Sequence, residues 1–380
     1  TIPTGIKHGT VTVVIDKENF EVTTYRTEEN YIDNRRPEKV EFVKDLKEDL
    51  SRRDFTINAF AYNDKEGLVD YFNGIDDLQN KVIRAVGDPN KRFNEDALRM
   101  LRAIRFSAQL GFSIESKTYD AIKDNVQLIK NISNERIRDE LCKILLSDNP
   151  CEGIETLRET NMLSIILPEI NDHNRNVFTH TLKVLNNTYA NLNLRLAALF
   201  HDIGKINTIT ALPNGHHYFP GHSEEGAKMV MDVLKRLKFD NLTIESISAL
   251  IKHHLVLNVS YMPTDGEIKR LINNVGKENI FILFDLQRAD INALWDPVPF
   301  LKKVDFMESR TKFILDNNEP LTLKDLAIDG KTLIAELNLL PGKKVGIILH
   351  KLLEAVLDDK NLNCKDQLIN LAKKYKELMA

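Results

Sequence analysis

A chain of 380 residues that is 42% hydrophobic and 28% charged is long enough for about two to four globular domains. Its net charge of −4 excludes an evenly basic nucleic-acid binder, so any basic surface must be local. The longest apolar runs, such as LAALF at 196–200, are far too short to span a bilayer. Cys142, Cys151 and Cys364 form neither a metal-spaced cluster nor a disulfide framework, which fits a cytoplasmic protein.

The opening is strand-like. TVTVVI (10–15) and FEVTTY (20–25) are β-branched and aromatic and flank the polar DKEN, which predicts a hairpin. Residues 27–50 read as charged and loop-rich, RRDFTINAFAY (52–62) as an amphipathic helix, and GLVDYFNG (67–74) as a short strand and turn. From about residue 76 the pattern is helical almost to the end, with loops at VGDPNKRF, SDNP, LPNGHHYFPG and WDPVP. An α/β start followed by a long helical body is the expectation. Because a lone hairpin is not a stable sheet, the α/β part reads as truncated on its N-terminal side.

Two constellations carry chemistry. In NEDALRMLRAIRF (94–106), Asn94 is a plausible N-cap with Glu95 and Asp96 in the first turn. At ~100° per residue, Arg99, Arg102 and Arg105 drift along one side, beside Leu98, Leu101 and Ile104. Periodicity leaves two readings open: arginines snorkelling along an apolar seam, or arginines lining a cleft for phosphates and base edges. The second constellation is His180, the pair His201–Asp202, His222, the pair His253–His254, and Asp290. A lone His-Asp dipeptide says little. An ordered set of imidazoles and carboxylates suits a divalent metal with open positions for water and phosphate. Adjacent His201 and Asp202 can reach one ion only from a helix end, which Gly204 fits, and Lys205 is a candidate phosphate contact. His173, His216 and His217 read as loop residues.

The first constellation, together with GIKHGTVTV (5–13), FEVTTYR (20–26), DLSRRDFTINAFAY (49–62) and the stretch 67–93, resembles the bacterial tRNA nucleotidyltransferases. These CCA-adding enzymes belong to the class that contains the bacterial poly(A) polymerases. The likeness continues weakly into LAIDGKTLIAELNLLPGKKVG (326–346). It implies that Asp96 and Arg99 read the incoming base. Cytosine and adenine both offer an exocyclic amine beside a ring-nitrogen acceptor, which a carboxylate and a guanidinium match. Uracil and guanine reverse that order, and an unmatched buried polar group costs ~1–3 kcal/mol, about tenfold or more in selection. By the same resemblance Arg53 contacts nucleotide, Asn58 contacts sugar or phosphate, and Arg102 and Arg105 face the triphosphate or the inner wall. The family's Gly-Gly-x-Val-Arg-Asp and Asp-x-Asp motifs, which hold Mg2+, do not occur in the chain. They are expected upstream of Thr1, with Glu21 as a third carboxylate of that site.

The second constellation resembles the HD phosphohydrolases. That likeness assigns His180, His201, Asp202 and Asp290 to a core ion (Mn2+, Ni2+ or Mg2+), with His201 and Asp202 catalytic. His222, His253 and His254 would hold a second ion or the substrate phosphate. The implied fold class is α+β: a partial nucleotidyltransferase-type mixed-sheet head (1–78), an all-α neck binding nucleotide and tRNA (79–150), an HD-type helical body (151–305) and a helical tail (306–380). The implied function is template-independent addition of CMP, CMP and AMP to tRNA 3′ ends, with phosphohydrolase activity in the HD domain. The alternatives are a poly(A) polymerase of the same class, or an HD phosphohydrolase with a non-catalytic RNA-binding head. Implied partners are tRNA, ATP and CTP, with no membrane and no protein partner. GKKVG (342–346) and AKKYK (372–376) are candidate contacts to the tRNA backbone.

Overall fold

Strand β1 (Ile2–Gly5) joins the expected hairpin, β2 (Thr10–Ile15) and β3 (Glu18–Thr23), in an antiparallel sheet of order β1-β2-β3. Val11 sits opposite Val22 and Val13 opposite Phe20. The connecting turn places Asp16 and Lys17 at positive φ of 51° and 71°, as a two-residue hairpin loop matched to strand twist requires. The computed structural model describes residues 2–5, 9–32, 34, 36–171, 175–211, 217–255, 261–294 and 298–378. His173 and His216 lie outside them.

Two expectations for the head fail. Residues 27–50 are not mainly loop: β4 (Arg26–Ile32) and β5 (Arg36–Phe42) form a second antiparallel hairpin, followed by helix α1 (Leu46–Ser51). Charges hid these strands because strand preference depends on partners more than on intrinsic propensity. The stretch 52–62 is not a helix either. Thr56–Asn58 makes one 3-10 turn, and Phe60–Asn63 becomes β6, paired with β7 (Gly67–Asp70). A short apolar run fits either period, and pairing with β7 decides it. Helix α2 (Gly74–Gln79) follows, then β8 (Val82–Ile83), which pairs in parallel with β9 (Ser113–Ile114).

Helices α3 (Pro89–Glu95), α4 (Leu98–Leu110), α5 (Ser116–Asn125), α6 (Asn134–Leu145), α7 (Pro150–Glu159), α8 (Leu163–Ile166), α9 (Pro168–Asn171), α10 (Arg175–Asn186) and α11 (Leu192–Phe200) come next. The centre of this region is α4, whose Met100, Leu101 and Ile104 are fully buried with Phe93, Ile122 and Leu141. Gly153 of α7 is required there, since a Cβ would stand 2.5 Å from Ile144 and 3.2 Å from Ala108.

The remaining elements are α12 (Lys205–Thr208), the short pair β10 (Thr210–Ala211) and β11 (His217–Tyr218), α13 (His222–Arg236), α14 (Asn241–His253), α15 (Asp265–Val275), α16 (Ile280–Asn292), α17 (Val298–Asp316), α18 (Gly330–Leu337), α19 (Lys343–Asp358) and α20 (Lys365–Glu377). His217, read as a loop residue, begins β11. A capping box between Thr264 and Glu267 starts α15. Leu333, Ile348, Leu352, Val356 and Leu368 form the apolar core of the last three helices.

By proximity the chain divides into two compact units. One comprises Thr1–Phe178, Ala190–Arg195 and Asp232–Asp240; the other comprises Thr179–Tyr189, Leu196–Met231 and Asn241–Ala380. The architecture is α+β, with small sheets confined largely to the first unit and helices dominating both.

Candidate nucleotide cleft and candidate metal centre

The arginine stripe does not lie on one helix starting at Asn94. Asp88 caps α3 through Asn90 N–H, and α3 ends at Glu95. Asp96 is extended, at φ −140° and ψ 104°, and α4 begins two residues later. Asn34, from the loop between β4 and β5, holds this break open. Its carbonyl accepts from Ala97 N–H at 3.1 Å and its Nδ2 donates to Asn94 O at 2.6 Å. The break sends Glu95 and Asp96 to different partners. Glu95 accepts from Arg92 at 2.6 Å and from Arg99 at 2.7 Å. Asp96 takes both ends of the Arg136 guanidinium, at 2.8 and 3.3 Å, and accepts Leu98 N–H at 3.1 Å.

Arg99 is buried and fixed further by the carbonyls of Arg52 (2.7 Å) and Arg92 (3.2 Å). Arg102 donates twice to Asp54 Oδ2, at 2.9 and 2.6 Å. Asp54 Oδ1 meanwhile accepts Phe55 N–H and Asn58 Nδ2. Arg53 donates to Asn58 O at 3.1 Å, and its half-exposed side chain stands 3.6 Å from Asp49. Arg105 belongs to the wall: it stacks on Phe106 at 3.8 Å and pairs with buried Glu140 at 2.9 Å. Burial lowers its pKa, with the Glu140 charge opposing. Arg53, Asp54, Asn58, Asp96, Arg99, Arg102, Arg105 and Arg136 line an open cleft of about 880 Å3. The arginines therefore neither snorkel idly nor form a bare cationic stripe, because acids on neighbouring elements pair with most of them. Arg136 and Glu140 escaped the sequence reading. Their signal was present: Arg136 and Glu140 lie one turn apart on α6 among Ile137, Leu141 and Ile144, and an acid on an apolar face calls for a buried cation.

Glu21 is exposed on β3, opposite Thr12. Among the described residues it belongs to no group of three or more metal-ligating side chains.

The histidine constellation does converge, within the second unit. His180 lies on α10, His201 and Asp202 in the turn that ends α11, His222 at the start of α13, His254 just past α14, and Asp290 on α16. His180 Nε2 is 2.9 Å from Asp290 Oδ1 and 3.8 Å from Asp202 Oδ2. His201 Nε2 is 3.1 Å from Asp202 Oδ2, and His222 Nε2 is 3.5 Å from Asp202 Oδ1. Gly204 permits this approach, since a Cβ there would meet His222 O at 2.1 Å and Gly226 N at 2.6 Å.

Hydrogen bonds fix the tautomers. His201 Nδ1 donates to Ala198 O (2.9 Å), His222 Nδ1 to Phe219 O (2.8 Å) and His254 Nδ1 to Ile251 O (2.6 Å). A carbonyl can only accept, so each ring turns Nε2 towards the cluster. All three Nε2 atoms are buried and have no hydrogen-bond partner among the described residues. Such orphaned atoms fit a cation. Two ligand groups share Asp202: His180, His201 and Asp202, and Asp202, His222 and His254, each with ligand atoms within 4.8 Å of one another.

Burial opposes charge on His201, but Asp202 and Asp290 outweigh it and raise this ring to about 9, so an ion taken up at Nε2 displaces a proton there. Burial, reinforced by the His201 charge, lowers His254 to about 4, so this ring is neutral near pH 7 as a metal ligand must be. Burial disfavours the Asp202 carboxylate too, yet His201 and Lys205 hold it well below the usual range. Lys205 sits 2.6 Å from Asp202 Oδ2 and over the Phe219 ring. His253 is placed elsewhere. It lines a small pocket with Met231, Ser248, Lys252 and Asn274, because the neighbouring side chain at the helix end points a different way. The sequence reading also passed over Gln287, a buried amide of α16 beside this centre.

A nucleotide-sized arginine cleft in one unit and an HD-type histidine centre in the other define a class, a nucleotidyltransferase joined to an HD domain. The comparisons agree. The Poly A polymerase head domain model matches residues 1–84, the model described as probable RNA and SrmB-binding site of polymerase A matches 111–174, and the HD domain model matches 177–280. The chain is 36% identical to the CCA-adding enzyme of Pediococcus pentosaceus, over 99% of this chain and 85% of that relative. Identity to the CCA-adding enzyme of Ligilactobacillus salivarius is 35%, over 99% of this chain and 84% of that relative. The structure superposes on that of the Bacillus stearothermophilus CCA-adding enzyme in complex with CTP with a TM-score of 0.72, at 25% identity, covering 100% of this chain and 84% of that one. The chain belongs to the family of CCA-adding enzymes.

Proposed function

We propose that this protein adds CMP, CMP and AMP to the 3′ ends of tRNA without a nucleic-acid template, choosing CTP and ATP in the arginine cleft. The reading rests chiefly on one observation: the break at Asp96 presents a carboxylate beside the fixed guanidinium of Arg99 at the rim of that cleft. Asp96 accepts from the exocyclic amine of cytosine or adenine, sharing its oxygens with Arg136. Arg99, held by Glu95 and two carbonyls, donates to the ring nitrogen. Arg53 and Arg102 hold phosphate oxygens, and Asn58 steadies Asp54. In the reaction the 3′ hydroxyl of tRNA forms a bond to the α-phosphorus, and pyrophosphate leaves. Family heads use a divalent metal for this. Glu21 belongs to no group of three or more metal-ligating side chains among the described residues.

The HD centre is assigned a second task, hydrolysis of phosphate esters or cyclic phosphates at damaged tRNA ends. His180, His201, Asp202 and Asp290 would hold one divalent ion (Mn2+, Ni2+ or Mg2+), and His222 and His254 with Asp202 another. When bound, such an ion supplies an acidified water and charge stabilisation. His201, His222 and His254 present Nε2 in the required tautomer, and Lys205 is placed to take a phosphate oxygen. No helix among the described residues is long and apolar enough to cross a membrane. A cytoplasmic location fits the cysteines, as burial pushes the Cys142 and Cys151 thiols up to about 11.

Equilibrium binding of the four ribonucleoside triphosphates tests base selection separately from turnover. CTP and ATP should bind at least tenfold more tightly than UTP and GTP, and equal affinities would overturn the reading. Incorporation of AMP without CMP into a tRNA lacking its 3′ end would favour a poly(A) polymerase.

A further inference from the structure

We infer that Gln287 is a positioning residue that sets the geometry of one half of the HD centre. The inference rests on the metal-binding reading above. Gln287 is 1% exposed and lies one turn before Asp290 on α16. Its Nε2 donates to the carbonyls of both His253 (3.4 Å) and His254 (3.3 Å). These carbonyls belong to the C-terminal end of α14, where helix geometry leaves oxygens unsatisfied. Gln287 therefore caps α14 from a different helix, at the residue that carries a candidate ligand.

The consequence is mechanical. One face of α16 presents Asp290, bonded to His180, and, a turn earlier, the amide that holds the backbone of His254. The group of His180, His201 and Asp202 is anchored by the His180–Asp290 bond at 2.9 Å. Among the described residues, the group of Asp202, His222 and His254 has no carboxylate hydrogen-bonded to it in the same way. Among the described residues the ring nitrogens of His222 and His254 are hydrogen-bonded to the carbonyls of Phe219 and Ile251 on their own segments, while Gln287 holds the His254 backbone from another helix, so part of the placement of His254 relative to Asp202 passes through Gln287. Both Nε2 hydrogens serve this task, and Gln287 Oε1 has no hydrogen-bond partner among the described residues. An amide buried with one end unsatisfied is costly in a core position that a methionine could fill. The donor end is what the site uses.

The test is a Mn2+ titration of the full chain, following free ion by electron paramagnetic resonance. The wild type should take up two equivalents. Gln287→Met keeps the volume and removes the donors, so it should weaken one equivalent by ten- to a hundredfold, the usual effect of losing an outer partner of a ligand. The other equivalent should stay within about threefold. Unchanged affinities for both would overturn the inference even if the melting temperature fell, because packing alone would explain that. Equal weakening of both would overturn it too. Gln287→Glu sets a carboxylate against the same carbonyls and should weaken the same equivalent at least as much. If both variants were recovered unfolded, Gln287 would be a core residue and not a positioning one. A wild type that binds fewer than two equivalents would defeat the metal reading itself, a result distinct from all of these.

Discussion

The cleft and the histidine centre both gather charge in a protein interior, but they do so in opposite ways. In the cleft the principal charges have hydrogen-bonded protein partners: Arg99 with Glu95, Arg102 with Asp54, Asp96 with Arg136. In the histidine centre three buried imidazole nitrogens are left without hydrogen-bond partners among the described residues. A site for a large, changing ligand such as a nucleotide benefits from arginines held in place by acids, which keep the guanidinium forks oriented. A site for a metal ion benefits from ligands held from behind and left unsatisfied in front.

The sharpest way to break this contrast is His201→Ala. Removing the most deeply buried candidate ligand should weaken binding of Mn2+ or Ni2+ by more than about a hundredfold, measured by elemental analysis of the metal retained after dialysis, given that even outer partners are worth 10–100-fold. Retention of wild-type metal would mean that the imidazoles are only core residues. Next in size is Glu140→Ala. It leaves Arg105 buried without its acid and should cost about 3–5 kcal/mol in denaturant unfolding. A loss under ~1 kcal/mol would show that water reaches this pair and that the cleft wall is not dry. Asp96→Ala should shrink the preference for CTP and ATP over UTP and GTP by about 1–3 kcal/mol, or roughly five- to 150-fold, measured by competition binding. An unchanged preference would move base reading away from the break. The smallest effect belongs to His253→Ala, expected to leave metal content within about twofold because that ring lies in another pocket. A large loss would return His253 to the ligand set.

Legibility followed interaction range. The first hairpin could be read because alternation and its turn are local. The hairpin of β4 and β5 could not, since its charged strands are defined by each other. The six side chains that converge in the histidine centre are legible in the sequence, because their residue types in that order suit a divalent ion. The placement of His253 in another pocket was invisible, because a one-residue step at a helix end is a matter of backbone geometry. The partners of the arginines were equally hidden. Arg136 lies 40 positions from Asp96, and only the packing of α6 against α4 makes them neighbours. Asn34, some 60 positions away, decides where α4 begins.

That last interaction has a wider consequence. Glu95 and Asp96 are consecutive acids, and in a continuous helix they would diverge by only ~100°. The extended residue between α3 and α4 instead insulates two charge circuits across a single peptide bond. Glu95 closes one with Arg92 and Arg99, and Asp96 closes the other with Arg136. The discrimination proposed for this cleft is then wired by a backbone torsion, and a loop asparagine from the far side of the β4–β5 hairpin is its fuse.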